Sequence, residues 1–206
     1  MPVLELAQLT LLLPAPPLAR STRAALLRAK AAMQAHSGAT FAFLGSGAEP
    51  HHVFVLGAWA SVDDHVRVFV PGAANQAVLR DVEGRVAVEW LAHFDVPLQG
   101  VLEVLRAGGC VLERVAVRRE ARSRFEEALE RRGDGVGGWR VDDPGAEYLG
   151  GTQSEDEDVF VWFGKGEMEH QESESVEKPV YGDGGKATAR LIDRTAVTIL
   201  DLESQS

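Results

Sequence analysis

Apolar positions along the chain fall into short blocks, and their spacing switches between strand-like and helix-like. Residues 3–13 are dominated by apolar side chains and read as a buried strand. Pro14, Pro16 and Pro17 end it, because proline lacks a ladder donor and fixes φ. Ser21 or Thr22 is placed to cap a helix in which Ala24, Leu27 and Ala31, with Leu26 and Met33, keep helical spacing. His36-Ser37-Gly38 reads as its end, with Gly38 free to take a positive φ. Strands are predicted at 39–44 and 52–59, around a turn at 45–51. Ser61 can cap a second helix with Asp63 and Asp64 in its first turn and a buried stripe of Val62, Val66, Phe69 and Val70. Pro71-Gly72 stops that helix, a short helical piece follows at 75–82, and 86–94 forms a fourth strand. The order is β-α-β-β-α-β with a broken second helix.

After Pro97 the pattern begins again. Residues 110–117 read as a strand, and Ala121, Phe125, Ala128 and Leu129 share a helix face with Glu127 and Arg131 outside. Short strands are predicted at 137–141, 158–163 and 195–202. Val53-Phe54-Val55-Leu56 followed by Ser61 to His65 recurs as Val159-Phe160-Val161-Trp162 followed by Glu167 to His170, with one residue lost between strand and histidine. The second occurrence has lost its helix stripe, keeping only Met168 and Val176, and its acidic stretches 142–158 and 166–185 read as solvated loops.

The third strand of each repeat is apolar on both parities. Val53 and Val55 point one way, Phe54 and Leu56 the other, so the strand needs cover on both faces. Helices supply one side. The facing sheet of the other repeat supplies the second, and two four-stranded sheets can close into a barrel. The expected fold is α+β: two ferredoxin-like βαββαβ units, residues 1–100 and 101–206, forming a barrel within one chain.

Composition narrows the partners. Hydrophobic residues make up 45% of the 206 and charged residues 25%, which suits a packed core. A formal net charge of -10 with no basic patch argues against nucleic acid. The single cysteine, Cys110, lies in an apolar run and reads as a small buried hydrophobe, which suits a reducing compartment. The first residues carry Glu5 and no basic n-region, so they do not read as a signal peptide. No stretch approaches the roughly 18 apolar residues that span a bilayer. The expectation is a cytoplasmic protein without a membrane partner.

The run Val53-Phe54-Val55-Leu56-Gly57-Ala58-Trp59-Ala60-Ser61-Val62-Asp63-Asp64-His65, with Trp90-Leu91-Ala92-His93-Phe94-Asp95, resembles the dimeric α+β barrel superfamily. It is most similar to fungal antibiotic-biosynthesis-monooxygenase-like and stress-responsive barrel domains. The resemblance covers residues 3–97 closely and 110–203 more distantly. It implies a small apolar cavity between sheet and helices, and it implies that tandem copies make within one chain the barrel that single units make as homodimers. Further homodimerisation stays open. Family activities include cofactor-free oxygenases acting on aromatic polyketides, polyketide cyclases and haem-handling enzymes.

Within that frame His65 and His93 are the candidate catalytic groups. A histidine near its ordinary pKa can take a proton from a phenol or an activated carbon. Phe54, Trp59, Phe69 and Trp90 are the candidate substrate-binding residues. His93 falls on the opposite strand parity from Trp90, so one pocket holds both only if a bulge intervenes. Glu89 shares the parity of His93, and inside an apolar strand it calls for a partner or an opening. His170 sits among acidic residues and reads as solvated. The stretch 71–75 lacks the histidine that olivetolic-acid-type cyclases of the superfamily carry after this helix, and the Asn/Trp/Arg set of its oxygenases does not map. The six histidines show no helical spacing with a second ligand, so no metal is expected. Gly45-Ser46-Gly47 lacks the lysine of a phosphate loop, and no Gly-x-Ser-x-Gly elbow exists. The leading expectation is a cofactor-independent monooxygenase or cyclase/isomerase acting on a polyketide-like or aromatic substrate. A non-catalytic binding or stress-response protein comes second, and a haem protein using His65 or His93 third.

Overall fold

The computed structural model describes residues 1–12, 19–133, 135–142, 156–165, 179–181 and 189–202. The prolines at 14, 16 and 17, His170, and most of both acidic stretches lie outside the described residues. The elements run β1 (Val3–Leu11), α1 (Arg20–Ser37), β2 (Ala42–Ser46), β3 (His52–Trp59), a π-helical turn (Asp64–Phe69), α2 (Ala73–Val82), β4 (Val86–Phe94), α3 (Leu98–Arg106), β5 (Cys110–Arg118), α4 (Arg122–Glu130), β6 (Gly135–Trp139), β7 (Glu157–Lys165), β8 (Pro179–Tyr181) and β9 (Ala189–Ile199). No helix among the described residues is long and apolar enough to cross a membrane.

The strands form one antiparallel sheet in the order β4-β1-β3-β2-β9-β5-β7-β6, with β8 beside β9. Its two halves repeat one arrangement, since β4-β1-β3-β2 and β9-β5-β7-β6 each place the last strand beside the first. They join where β2 pairs β9. The outer strands also approach each other past their ends: Phe94 bridges Arg140, Asp95 N–H donates to the Trp139 carbonyl at 2.9 Å, and Val141 N–H to the His93 carbonyl at 2.8 Å.

β3 is buried on both faces, as its double apolar parity requires. Phe54 and Leu56 join a core with Leu4, Leu6, Ala92 and Phe94, covered by Leu112, Val161 and Phe163 from the other half and by Val101, Leu102 and Leu105 of α3. Cys110 is buried in that core, and burial pushes its thiol up to about 11. Val53, Val55 and Trp59 face a second core with Leu26 of α1, Phe41 and Phe69. A third core packs Phe125 of α4 on Val115, Val117, Phe160 and Trp162.

Several local expectations change. α1 begins at Arg20 with Ala19 before it, so Ser21 and Thr22 lie inside the helix and cap nothing. Its other end is as expected: Gly38 has φ 70° and donates to the Gln34 carbonyl at 3.0 Å. Ser61 does cap, its Oγ accepting the Asp64 N–H at 3.1 Å, but the helix that follows is a single π turn closed by Val70 N–H to the His65 carbonyl at 2.9 Å. The wider turn buries His65 and Phe69 while Val62, Val66 and Val70, the expected buried stripe, are only half-buried, so His65 is at the centre of the inward face. α3 was not anticipated, because its apolar positions lie in the stretch between the repeats. β9 begins six residues before the predicted 195. Glu89 is exposed at a β-bulge, where Gln8 pairs Trp90 but Leu9 pairs Val88, so it needs neither partner nor opening.

Candidate functional site

β1 lies between β3 and β4, and its alternation points Val3, Glu5, Ala7 and Leu9 at the helices. Glu5 is therefore a carboxyl in an otherwise apolar row. Its direct neighbours are Gly57 on β3 and His93 on β4. Gly57 carries no side chain because the Phe41 ring occupies that space: any Cβ there would overlap it. Trp59, one diagonal step along β3, donates its indole N–H to Glu5 Oε2.

The π turn lays His65 across this floor. Its ring stacks on Trp59, centroids 4.2 Å apart and planes 4° from parallel, with Phe69 beside Trp59 at 4.8 Å. His65 Nδ1 lies 2.8 Å from His93 Nε2 and 3.4 Å from Glu5 Oε2. His36, at the end of α1, closes the outer side and meets Asp64 at 3.3 Å.

The other side of His93 is held from the second half of the chain. Asp142 Oδ2 lies 3.2 Å from His93 Nδ1 and accepts the His93 backbone N–H at 3.3 Å, while Asp142 Oδ1 accepts Arg140 Nε–H at 2.6 Å. Beside a guanidinium Asp142 serves as acceptor, so His93 Nδ1 carries the proton and Nε2 presents a lone pair to His65. The result is a buried chain Glu5–His65–His93–Asp142, with Glu5, His65 and His93 all 5% exposed or less. Burial, against the Trp59 hydrogen bond, raises Glu5 to about 7. Burial above all lowers His65 to about 3, which keeps its ring neutral.

Four of the six candidate residues meet here: His65, His93, Trp59 and Phe69. Phe54 and Trp90 do not. They sit together on the opposite sheet face, 6.3 Å apart, where Trp90 donates to Gln8 at 2.7 Å and the Arg114 guanidinium lies over its ring at 3.6 Å. The bulge precedes Trp90 and cannot bring it to the side of His93. Sequence reasoning missed Glu5, Asp142 and Arg140. Glu5 was visible as a lone carboxylate in an apolar strand. Asp142 carried no signal, being one acidic residue in an acidic stretch. The expectation that no metal set exists rested on local spacing, whereas Glu5, His65 and His93 come from three separate elements and bring one donor atom each within 4.8 Å of one another.

No protein-family model matches the chain, and no curated protein matches its sequence. Solved structures are similar in fold. A proposed monooxygenase of Fusobacterium nucleatum superposes with a TM-score of 0.53 and 9% identity, over 97% of this chain and 93% of that one. A proposed monooxygenase of Lactobacillus acidophilus gives 0.45 and 12%, over 79% and 76%. A mutant chlorite dismutase from Candidatus Nitrospira defluvii gives 0.46 and 14%, over 80% and 76%. At these identities the likeness is one of fold, and among the three it is carried by the Fusobacterium protein. This chain is thus a mixed α+β protein with an antiparallel sheet, similar in fold to the Fusobacterium protein.

Proposed function

We propose that this protein is a monooxygenase-like enzyme acting on a small apolar or aromatic molecule, with Glu5, His65 and His93 as its reacting groups. The observation that carries this is the buried Glu5–His65–His93–Asp142 chain, since burying four ionisable side chains in one polar row costs stability and such clusters concentrate at functional sites. In the metal-free protein the chemistry is proton transfer and needs no cofactor. Asp142 fixes the His93 tautomer, His93 accepts from His65, and Glu5 takes a proton from an acidic C–H or phenol. Dioxygen then oxidises the resulting carbanion or phenolate, one oxygen atom entering the substrate and the other leaving as water with the substrate's own electrons and protons; cyclisation of the same anion needs no oxidant. Trp59 and Phe69 supply the apolar wall.

The architecture we infer around it is a closed barrel made by two tandem copies, residues 1–100 and 101–206. The repeated strand order and the bridge between Phe94 and Arg140 support it. The site is then not confined to the first copy, because Asp142 comes from the second.

A panel of phenols and anthrone-like compounds, followed by oxygen uptake and product mass, tests the function. Turnover by the wild type should fall by about 10²–10⁴-fold in Glu5→Gln and in His93→Gln, the range of general acid–base catalysis. Unchanged turnover in both would overturn the assignment. A second reading, a non-catalytic binding protein, is favoured by the complete burial of His93. It predicts thermal shifts with ligands of the panel and no product. Haem on His93 is the less favoured alternative, because its Nε2 faces His65 Nδ1 at 2.8 Å and its Nδ1 meets Asp142 at 3.2 Å.

A further inference from the structure

Two imidazole nitrogens and a carboxylate oxygen converge inside the first half of the chain without a proton for every contact. His93 Nε2 is a lone pair by the argument from Asp142, and His65 Nδ1 can give one hydrogen to it or to Glu5, not to both. Two of the three spacings are close to those of ligands on one ion, and the third pair of donor atoms lies within 4.8 Å. At metal–ligand distances of roughly 2.0–2.2 Å, neighbouring ligand atoms lie about 3.0 Å apart in an octahedron and about 3.4 Å apart in a tetrahedron. The observed separations are 2.8 Å between His65 Nδ1 and His93 Nε2, and 3.4 Å between His65 Nδ1 and Glu5 Oε2.

We propose that Glu5, His65 and His93 form a binding site for a divalent first-row transition-metal ion, ligated through the Glu5 carboxylate, His65 Nδ1 and His93 Nε2. Two imidazoles with one carboxylate suit zinc and non-haem iron, and three protein ligands leave positions open for water or substrate. The support around the ligands has the form such sites take. A metal-binding histidine donates its other ring N–H to a carboxylate, and His93 does so to Asp142, which Arg140 holds in turn. Trp59 does the same for Glu5 by donating to Oε2 and fixing the carboxylate's rotation. The inference goes beyond the cofactor-free reading above by giving the same side chains an ion. With the ion bound, the three act as ligands.

The test is binding, not turnover. The full chain, stripped with a chelator, is titrated anaerobically with cobalt(II), whose visible absorption reports its ligands. One equivalent should bind saturably and be displaced by zinc(II). Asp142→Asn, which leaves every ligand in place, should weaken binding by about 10–100-fold. Glu5→Gln and His93→Gln should weaken it by more. A His51→Ala, His52→Ala double variant removes adjacent histidines where the β2–β3 turn enters β3 and should bind as the wild type does. Circular dichroism confirms the fold of each variant, and Asp142→Asn decides the matter should a ligand variant fail to fold. No saturable binding, binding that survives all three site variants, or binding lost with His51 and His52 would overturn the proposal. Turnover without metal binding would remove the ion and leave the enzyme; metal binding without turnover would do the reverse.

Discussion

Glu5 occupies an inward position of β1 whose companions are Val3, Ala7 and Leu9, and that placement sets its protonation. In the metal-free folded chain the carboxyl is raised from 4.5 to about 7, so between these values the folded state holds a proton that the unfolded chain releases. Its contribution to stability is present below pH 4.5 and lost as pH rises through about 7. His65 works the other way. Its folded value of about 3 against 6.5 means that its contribution is present above pH 6.5 and lost as pH falls toward 3. The two slopes oppose each other between 4.5 and 6.5. Urea unfolding across pH should show Glu5→Gln gaining on the wild type as pH rises through that range and up to 7, by about 3 kcal/mol in all. Parallel curves for the two proteins would show that Glu5 titrates normally. Of the residues in the cluster, His65, His93, Trp59 and Phe69 were legible in the sequence as strand-end and helix-face side chains. Glu5 was legible in principle from its alternation. Asp142 was not, because nothing local distinguishes it from its acidic neighbours.

At the scale of elements, the site depends on how β1, β3 and β4 register and on the turn laid over them. Gly57 opposite Glu5 makes room for Phe41, whose ring packs edge-on against Trp59 at 5.3 Å. Gly57→Ala should destabilise the protein by roughly 1–3 kcal/mol through overpacking, and combining it with Phe41→Leu should recover part of the loss. Equal losses in the single and double variants would show that the ring does not depend on the missing side chain. Phe69→Ala removes a buried ring against Trp59 and His36 and should cost about 3–5 kcal/mol in chemical unfolding. The strands and α1 were readable because burial imposes a period on them. The π turn was not, since i+4 and i+5 closures differ by one residue and the apolar pattern fits both. α3 was hidden for another reason: nine residues between two repeats look like a connection until their inward face finds a core.

For the whole molecule, apolar residues on both parities of β3 required a covering layer, and strands from the second half provide it. What the pattern could not convey is that this half also reaches across the outer strand to hold His93. If Asp142 acts on the site through His93, the two positions are energetically coupled. A double-mutant cycle of Asp142→Asn and His93→Gln should give a coupling of about 0.5–3 kcal/mol in stability. Additive losses would mean that the two halves touch there without depending on each other.

Everything proposed for the site depends on Glu5, His65, His93 and Asp142 forming one connected buried unit. Long-range proton–nitrogen NMR of the histidine rings tests it most directly. The account predicts a His65 ring that stays neutral well below its ordinary pKa of 6.5, a His93 ring protonated at Nδ1, and ring-nitrogen shifts at both histidines when Asp142 becomes Asn. A His65 that takes up its proton near 6.5, with His65 and His93 both unmoved by the Asp142 substitution, would contradict it.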